Sequence, residues 1–331
     1  MIWLFERLFK ILLILIISIS LTSLSLFADS DSQAIDKYRN SETFKNKLAE
    51  KLFKCQARIN VYIPKRHGFK DRRNGSAIVI AKAMEGAEKE KNQKIIYYFL
   101  LNPHEIHDMD YVLKGWKKAG IEIFVLGKNN HRIRAEIVAW NWFAEALVLK
   151  AEVPFKQKDD FDFETVEIAD KMAESLVSEN GAYGEYETVY TSGFPRNYFV
   201  VNSAYVSEYI NDEMPMRLGN NTAIIPRRMV VIYDYFGGPG QSGSGVFRVI
   251  FKIDKDENVE IERLELLGLV MASISYTEGL VIAVPIDMIV EKFLKDIPEI
   301  TSLIKLPKFK VLIGIATPTN FPNQDNQAKT N

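Results

Sequence analysis

The residues of this chain best suited to chemistry crowd into one stretch, GGPGQSGSGVF, running from Gly237 to Phe247. Glycines on both sides of Ser242 let the backbone turn sharply and free its N–H groups. The N–H groups of Gly240 and Ser242 could then converge on a developing oxyanion. Three readings compete. A flexible Gly/Ser linker fits poorly, because strongly apolar strand candidates flank the stretch closely. A phosphate cradle fails, because no lysine follows the glycines. A nucleophile loop built around Ser242 is the third, and the loop alone does not decide for it.

A serine hydroxyl is too weakly acidic to attack unaided, so a base is required. The chain has four histidines: His67, His104, His107 and His131. His67 and His131 lie in basic, turn-like surroundings that suit solvated side chains. His104 and His107 follow the apolar run IIYYFLLN, whose end can present an imidazole to a cleft. His107 lies further out, beside Asp108 and Asp110, and suits the surface better. His104 is the candidate base.

The spacing of Phe44, Leu48, Leu52 and Phe53 predicts a helix over Ser41–Phe53. Beyond it come short runs rich in Val, Ile, Tyr and Phe, divided by Gly, Pro, Asn and Asp. The first six are Ala57–Ile63, Ser76–Ala81, Ile95–Leu101, Ile121–Leu126, Ala135–Trp140 and Ala146–Ala151. Six more follow: Thr188–Gly193, Met229–Tyr235, Gly245–Phe251, Val259–Leu266, Leu267–Ala272 and Leu280–Val284. Many short strands at near-regular spacing indicate an all-β sandwich or barrel rather than alternating βαβ units. A second helix is expected over Ile286–Leu294. The acidic segment Gln157–Glu164 reads either as a crossing between two barrels or as a charged surface loop. The tail from Thr317 carries too little apolar surface to fold and is expected to be disordered.

At 47% hydrophobic residues the chain can bury a sizeable core. Its 42 basic and 43 acidic residues leave a net charge of −1, so no global field favours nucleic acid. The locally basic Lys65, Arg66, Lys70, Arg72 and Arg73 read as a solvated loop between strands. Cys55 is the single cysteine. It excludes an internal disulfide, and its setting, KLFKCQARINVYI, suits a small semi-buried side chain at a helix end. No Cys/His cluster has zinc spacing. At the start, Arg7 and Lys10 precede an apolar run from Ile11 to about Phe27, followed by Ala28 and Asp29. Residues 1–28 therefore read as an export signal cleaved near Ala28. Leu26 departs from the small-residue cleavage rule, so an uncleaved inner-membrane anchor is the alternative. A periplasmic or secreted location is expected.

Several segments together resemble a known family. FLLNPHEI resembles the strand and "TNxHV" signature of the HtrA/Deg branch of trypsin-like serine proteases, with Asn102 and His104 on its Asn and His. GSAIVI (Gly75–Ile80) is similar to the "GSG-hydrophobic" strand that precedes that signature. RAEIVAWNWFAEALVLKAE is similar to the segment carrying the triad acid, with Asn141 on its first Asp and Glu145 on its second. SGFP (Ser192–Pro195) resembles "G-x-P", and PGQSGSGVF resembles "PGNSGGPLF". LLGLVMAS and GLVIAVPIDMIVEKF resemble "VIGI" and the "GFAIP" strand with its helix. The blocks run from about Ala57 to Leu294 in the family's order, His then acid then Ser.

The resemblance implies two antiparallel six-stranded β-barrels of the chymotrypsin/trypsin type, with a short N-terminal helix and a C-terminal helix. The protease domain would span 57–298, with barrels at about 57–156 and 165–298. It implies a His104–Glu145–Ser242 triad and oxyanion donors at Gly240 and Ser242. Phe236, Met271, Ala272, Ser273 and Val281 would shape the specificity pocket, or else simply fill the barrel core. No acidic residue stands there, and Val281 falls where glycine is frequent, so a small or medium apolar residue is expected before the cut. No metal or organic cofactor is implied, and the partners are polypeptide substrates. A homo-oligomer is left open. The segment after Leu294 is too short for the peptide-binding PDZ module of this branch. Glu145 departs from the usual aspartate, and Ser244 and Gly245 replace Gly and Pro. Pro103 and Glu105 flank His104 unusually. The alternative is a catalytically inactive binding protein or chaperone of the same fold.

Overall fold

Runs such as KIIYYFLL, with almost no polar alternation, require a strand covered on both faces. The computed structural model supplies that cover. It describes residues 32–64, 70–86, 93–105, 115–118, 120–170, 188–210, 213–218, 221–226, 229–233, 242–273 and 280–307. Expectations placed on the leader, His67, His107, Phe236, Gly240 and the tail from Thr317 lie outside these residues.

Six antiparallel strands form a closed barrel: β1 (Gln56–Pro64), β2 (Lys70–Glu85), β3 (Lys94–Leu101), β4 (Glu122–Leu126), β5 (Arg132–Asn141) and β6 (Ala146–Pro154). Their order around it is β1-β2-β3-β6-β5-β4. The chain leaves through a turn at Phe155–Gln157 and makes the short strand β7 (Glu167–Ile168), which pairs in parallel with β14 (Val259–Ser273). The second sheet also contains β8 (Thr188–Gly193), β9 (Val200–Ile210), β12 (Met229–Tyr233), β13 (Gly245–Ile253) and β15 (Leu280–Pro285). Its order is β13-β8-β9-β12-β15-β14-β7, and β13 also pairs with β14. That last pairing joins six of its strands into a ring and leaves β7 on the outside. A separate hairpin, β10 (Glu213–Leu218) and β11 (Asn221–Pro226), lies between β9 and β12 in the chain.

Side-chain alternation explains the apolar runs. Val79, Phe99, Leu101, Leu147 and Leu149 fill the first barrel. Their neighbours Ile78, Ile80, Leu100 and Val148 belong to the other core, with Phe247, Leu266, Leu269 and Val284 of the second barrel. Both faces of β2, β3 and β6 are thus buried, one inward and one against the partner barrel. The two halves cannot slide without exposing this shared layer.

Helix α1 (Glu42–Lys54) begins at Ser41, whose hydroxyl accepts the Phe44 N–H at 3.1 Å. It buries Phe44, Leu48 and Leu52. The Phe44 ring lies 5.8 Å from both Tyr190 and Phe251 of the second barrel. The chain then passes through Cys55 into β1 of the first barrel, so α1 bridges the two. At the other end, α2 (Ile286–Lys292) follows β15 directly, and Leu294 opens a further turn. The short α3 (Pro298–Thr301) packs Ile300 into the same core. No helix among the described residues is long and apolar enough to cross a membrane.

Leu52 is fully buried whereas Lys45 is exposed, which makes the helix face testable. Urea denaturation should show Leu52→Ala losing about 2–5 kcal/mol of stability. Lys45→Ala should stay within roughly 0.5 kcal/mol of the parent.

Candidate active site

The first barrel delivers two of the candidate residues from adjacent strands. β3 ends at Leu101, and the 3-10 turn Pro103–Glu105 carries His104. The turn joining β5 to β6 carries Glu145. There Asn141 Oδ1 accepts the Ala144 N–H at 3.0 Å, and the Glu145 N–H donates to Trp142 O at 3.2 Å. Glu145 itself sits at φ 45°, left-handed backbone that a non-glycine residue adopts at a cost of about 1–2 kcal/mol. Its side chain is fully buried, and Oε2 lies 3.0 Å from His104 Nδ1. The imidazole keeps 27% of its side-chain surface exposed. A carboxyl group at this distance from an imidazole nitrogen fixes the ring's orientation.

The second barrel delivers Ser242 at the head of β13. Gly243 sits at φ 78°, and a Cβ there would lie 2.5 Å from Ser76 O. Only glycine meets both demands. Gly243 N–H donates to Val270 O and Ser244 O accepts the Val270 N–H, each at 2.9 Å, which locks the loop onto β14. Along the β14–β15 register the pairing jumps from Val270 to Ala272, so Met271 is a bulge. Ser242 Oγ donates to the Met271 carbonyl at 3.0 Å. Among the described residues its hydrogen bond therefore runs to Met271 rather than to the His104 ring.

Asn102 joins the two halves. It is fully buried. Its Nδ2 donates to Glu145 O at 2.9 Å, and its Oδ1 accepts the Gly243 N–H at 2.6 Å. The residue two before the candidate base thus grips the backbones of the candidate acid and of the residue after the candidate nucleophile. Ser76 adds a second link: its Oγ accepts the Phe194 N–H at 2.7 Å. Sequence reasoning placed Asn102 in a motif without finding this bridge. The available signal was an amide side chain at the end of a strand otherwise made of apolar residues.

Of the residues expected to shape a specificity pocket, Val281 is fully buried in the second core and Met271 nearly so. Ala272 and Ser273 lie on β14 beside Met271. His131 Nδ1 lies 2.8 Å from Asp160 Oδ2. Cys55 is buried, and that burial, helped by Glu164, pushes its thiol up to about 12. Among the described residues no group of His, Cys, Asp and Glu could hold a metal ion.

Two barrels, with His and a carboxylate on the first and Ser at a strand head of the second, define the trypsin-like double-barrel fold. Among solved structures, the chain is similar to the active form of the Rv3671c protease from M. tuberculosis. The match has 14% identity and covers 79% of this chain and 86% of that one, with a TM-score of 0.50. The inactive form of the same protease matches at 14% identity over 77% and 94%, with a TM-score of 0.47. At such identities the likeness is one of fold. No protein-family model matches the chain, and no curated protein is similar to it in sequence.

Two measurements probe this arrangement. Asn102→Ala leaves Glu145 O without its buried donor and should cost about 1–3 kcal/mol in urea denaturation. Cys55 should resist iodoacetamide at mildly alkaline pH in the folded protein and react readily in concentrated guanidinium.

Proposed function

We propose that this chain is a serine endopeptidase that works through an acyl-enzyme. One observation carries the reading: a buried Glu145 carboxylate 3.0 Å from His104, on a turn that Asn102 ties to the Ser242 loop. The likeness to a protease of the same fold supports it.

In the proposed reaction Ser242 Oγ leaves the Met271 carbonyl, turns toward the imidazole and attacks the scissile carbonyl carbon. His104 Nε2 takes the hydroxyl proton as the new C–O bond forms. Glu145 holds Nδ1–H and offsets the charge that the ring acquires. Backbone N–H groups of the Ser242 loop, with Gly240 as the second donor, would receive the oxyanion. The imidazolium then gives its proton to the departing amine. Water, activated by the same ring, releases the acid and restores Ser242. The longer arm of glutamate starts here from left-handed backbone at Glu145. We further propose an exported enzyme that prefers a small or medium apolar residue before the cut, since no acidic residue stands at the expected pocket positions.

A second reading is an inactive protein of this fold that binds chains without cutting them. The Ser242–Met271 hydrogen bond favours it, because that bond holds the hydroxyl off the base. A fluorophosphonate probe separates the two. The folded parent should label at Ser242, and Ser242→Ala should not label at all. A folded parent that fails to label from neutral to mildly alkaline pH would rule the protease out in favour of the binding reading. Within the protease reading, Glu145→Gln should slow labelling by about 10²–10⁴-fold, because the amide favours the wrong imidazole tautomer. Glu145→Asp should retain more activity than the amide, although its carboxylate stops about one methylene short of His104.

A further inference from the structure

Strands of the first barrel turn alternate side chains inward and outward, and one stretch of the outer wall is basic. Ile59 of β1, Val79 of β2, Val125 of β4 and Ala135 of β5 point into the barrel core. The opposite parity puts Arg58 on the outside of β1, Lys70 and Arg72 outside β2, and Arg132 and Arg134 outside β5. β1 pairs with both β2 and β4, and β4 pairs with β5, so these cations share one wall of four adjacent strands. Lys70 and Arg72, expected on a loop, thus stand on a rigid strand.

Among the described residues none of these arginines meets a carboxylate. Arg58 donates to Asn130 Oδ1, and Arg72 donates to Asn74 Oδ1 at 3.2 Å and to Asn60 Oδ1 at 3.5 Å. Arg132 lies over the Phe124 ring, 5.2 Å from its centroid, a contact that leaves its charge in place. Arg72, Arg132 and Arg134 are exposed. Glu122 of β4 stands on the same wall but is bound to Lys70, and Lys70, with Arg134 and Arg132, holds its carboxyl below its ordinary value. Glu136, further along β5, lies 3.9 Å from Lys117. The wall is therefore an unmatched positive patch on a chain whose net charge is −1.

Aromatic rings stand at one edge of this patch. Arg58 lines a cleft together with Phe53 and Phe199. Phe53 is 45% exposed, and Tyr198, next to Phe199, is 76% exposed. A polyanion is the complementary partner, and an anionic bilayer fits these features best. On the convex outside of a barrel an extended acidic peptide would lose chain entropy for contacts open to salt. Lipid phosphates already stand at high density on a surface. Exposed Phe and Tyr beside a basic face suit the headgroup layer. The sequence favours lipid over nucleic acid, because a basic start followed by an apolar run from Ile11 to about Phe27 brings the chain to a membrane whether the leader is cut or kept.

We propose that this wall docks the folded domain on an anionic bilayer: Arg58, Arg72, Arg132 and Arg134 bind phosphate headgroups while Phe53 and Tyr198 enter the headgroup layer. The guanidinium fork suits phosphate oxygens, and its position on strands keeps the four groups facing one way. The docking does not depend on Ser242 being a nucleophile.

The test is footprinting of the full chain with the arginine reagent p-hydroxyphenylglyoxal, read site by site by mass spectrometry. Phosphatidylglycerol vesicles should slow modification of Arg72, Arg132 and Arg134 by about fivefold or more, the scale of one cation's attraction to an anionic surface. Phosphatidylcholine vesicles, which an apolar leader could also enter, should leave those rates unchanged. Arg263, on β14 of the second barrel, should react equally in every condition. Protection should vanish in about 1 M salt, where charges are screened within about 3 Å. Arg132→Gln combined with Arg134→Gln should raise the phosphatidylglycerol needed to half-protect Arg72 by roughly tenfold or more. Circular dichroism checks that this variant is folded. Equal protection by both lipids, protection by neither, or an unchanged half-point in the variant would each overturn the proposal. Poly-glutamate and oligothymidylate serve as rival probes. Protection by either of them where phosphatidylglycerol gives none would reassign the wall to acidic polypeptide or to nucleic acid.

Discussion

Asn102 connects three backbones through one side chain. Its strand end leads into His104, its N–H donor holds the carbonyl of Glu145, and its carbonyl oxygen holds the N–H of Gly243. An amide is suited to this because it offers a donor and an acceptor on one rigid plane without a charge to desolvate. A carboxylate would lose the donor, and an aliphatic side chain would lose both. Because the group is fully buried, neither contact competes with water, and each is worth more than it would be at the surface. The backbones of Glu145 and Gly243 are therefore held together through a single buried amide.

The barrels act as the support for that network. β2, β3 and β6 are packed on both faces, and the shared layer of Ile78, Ile80, Leu100 and Val148 resists displacement of one barrel against the other. Such a rigid frame tolerates irregular backbone at its edges. Glu145 is left-handed, Gly243 presses on Ser76, and β14 bulges at Met271. Each irregularity falls at a candidate residue or its partner: the Glu145 carboxyl, the Ser242 loop and the Met271 carbonyl that accepts the serine hydroxyl. The strain at Glu145 is sustained by burial elsewhere.

The strands that were easiest to read were those with dense apolar content. β3, β6 and β8 begin or end within a residue or three of expectation. β9 was missed because VVNSAYVSEYI mixes Ser, Asn and Glu into its pattern, with one face polar. β7 is two residues long and owes its existence to the neighbouring β14. β10 and β11 are short and only weakly apolar. The single strand β14 was expected as two, broken between Leu266 and Leu267. Leu267 is skipped in the pairing with β13, a bulge that resets the inside-outside alternation at the same point. A change of phase in the sequence was thus real, but a bulge explains it better than a chain break.

Residue types and their order along the chain gave an all-β architecture with a helix before it and another after, and offered His104 and Ser242 as chemical candidates; Glu145 joined them only through the family resemblance. The architecture, the base and the nucleophile are local matters, carried by periodicity and by the few histidines and the one glycine-flanked serine. Tertiary structure alone decided that the Glu145 carboxylate is dry and touches His104, that Asn102 spans both barrels, and that the Ser242 hydroxyl points to Met271. Each of these joins residues from about thirty to more than a hundred positions apart. The Asn102–Gly243 bond follows from how the two barrels pack and the other two from strand order within one barrel; no local pattern of residues encodes any of them.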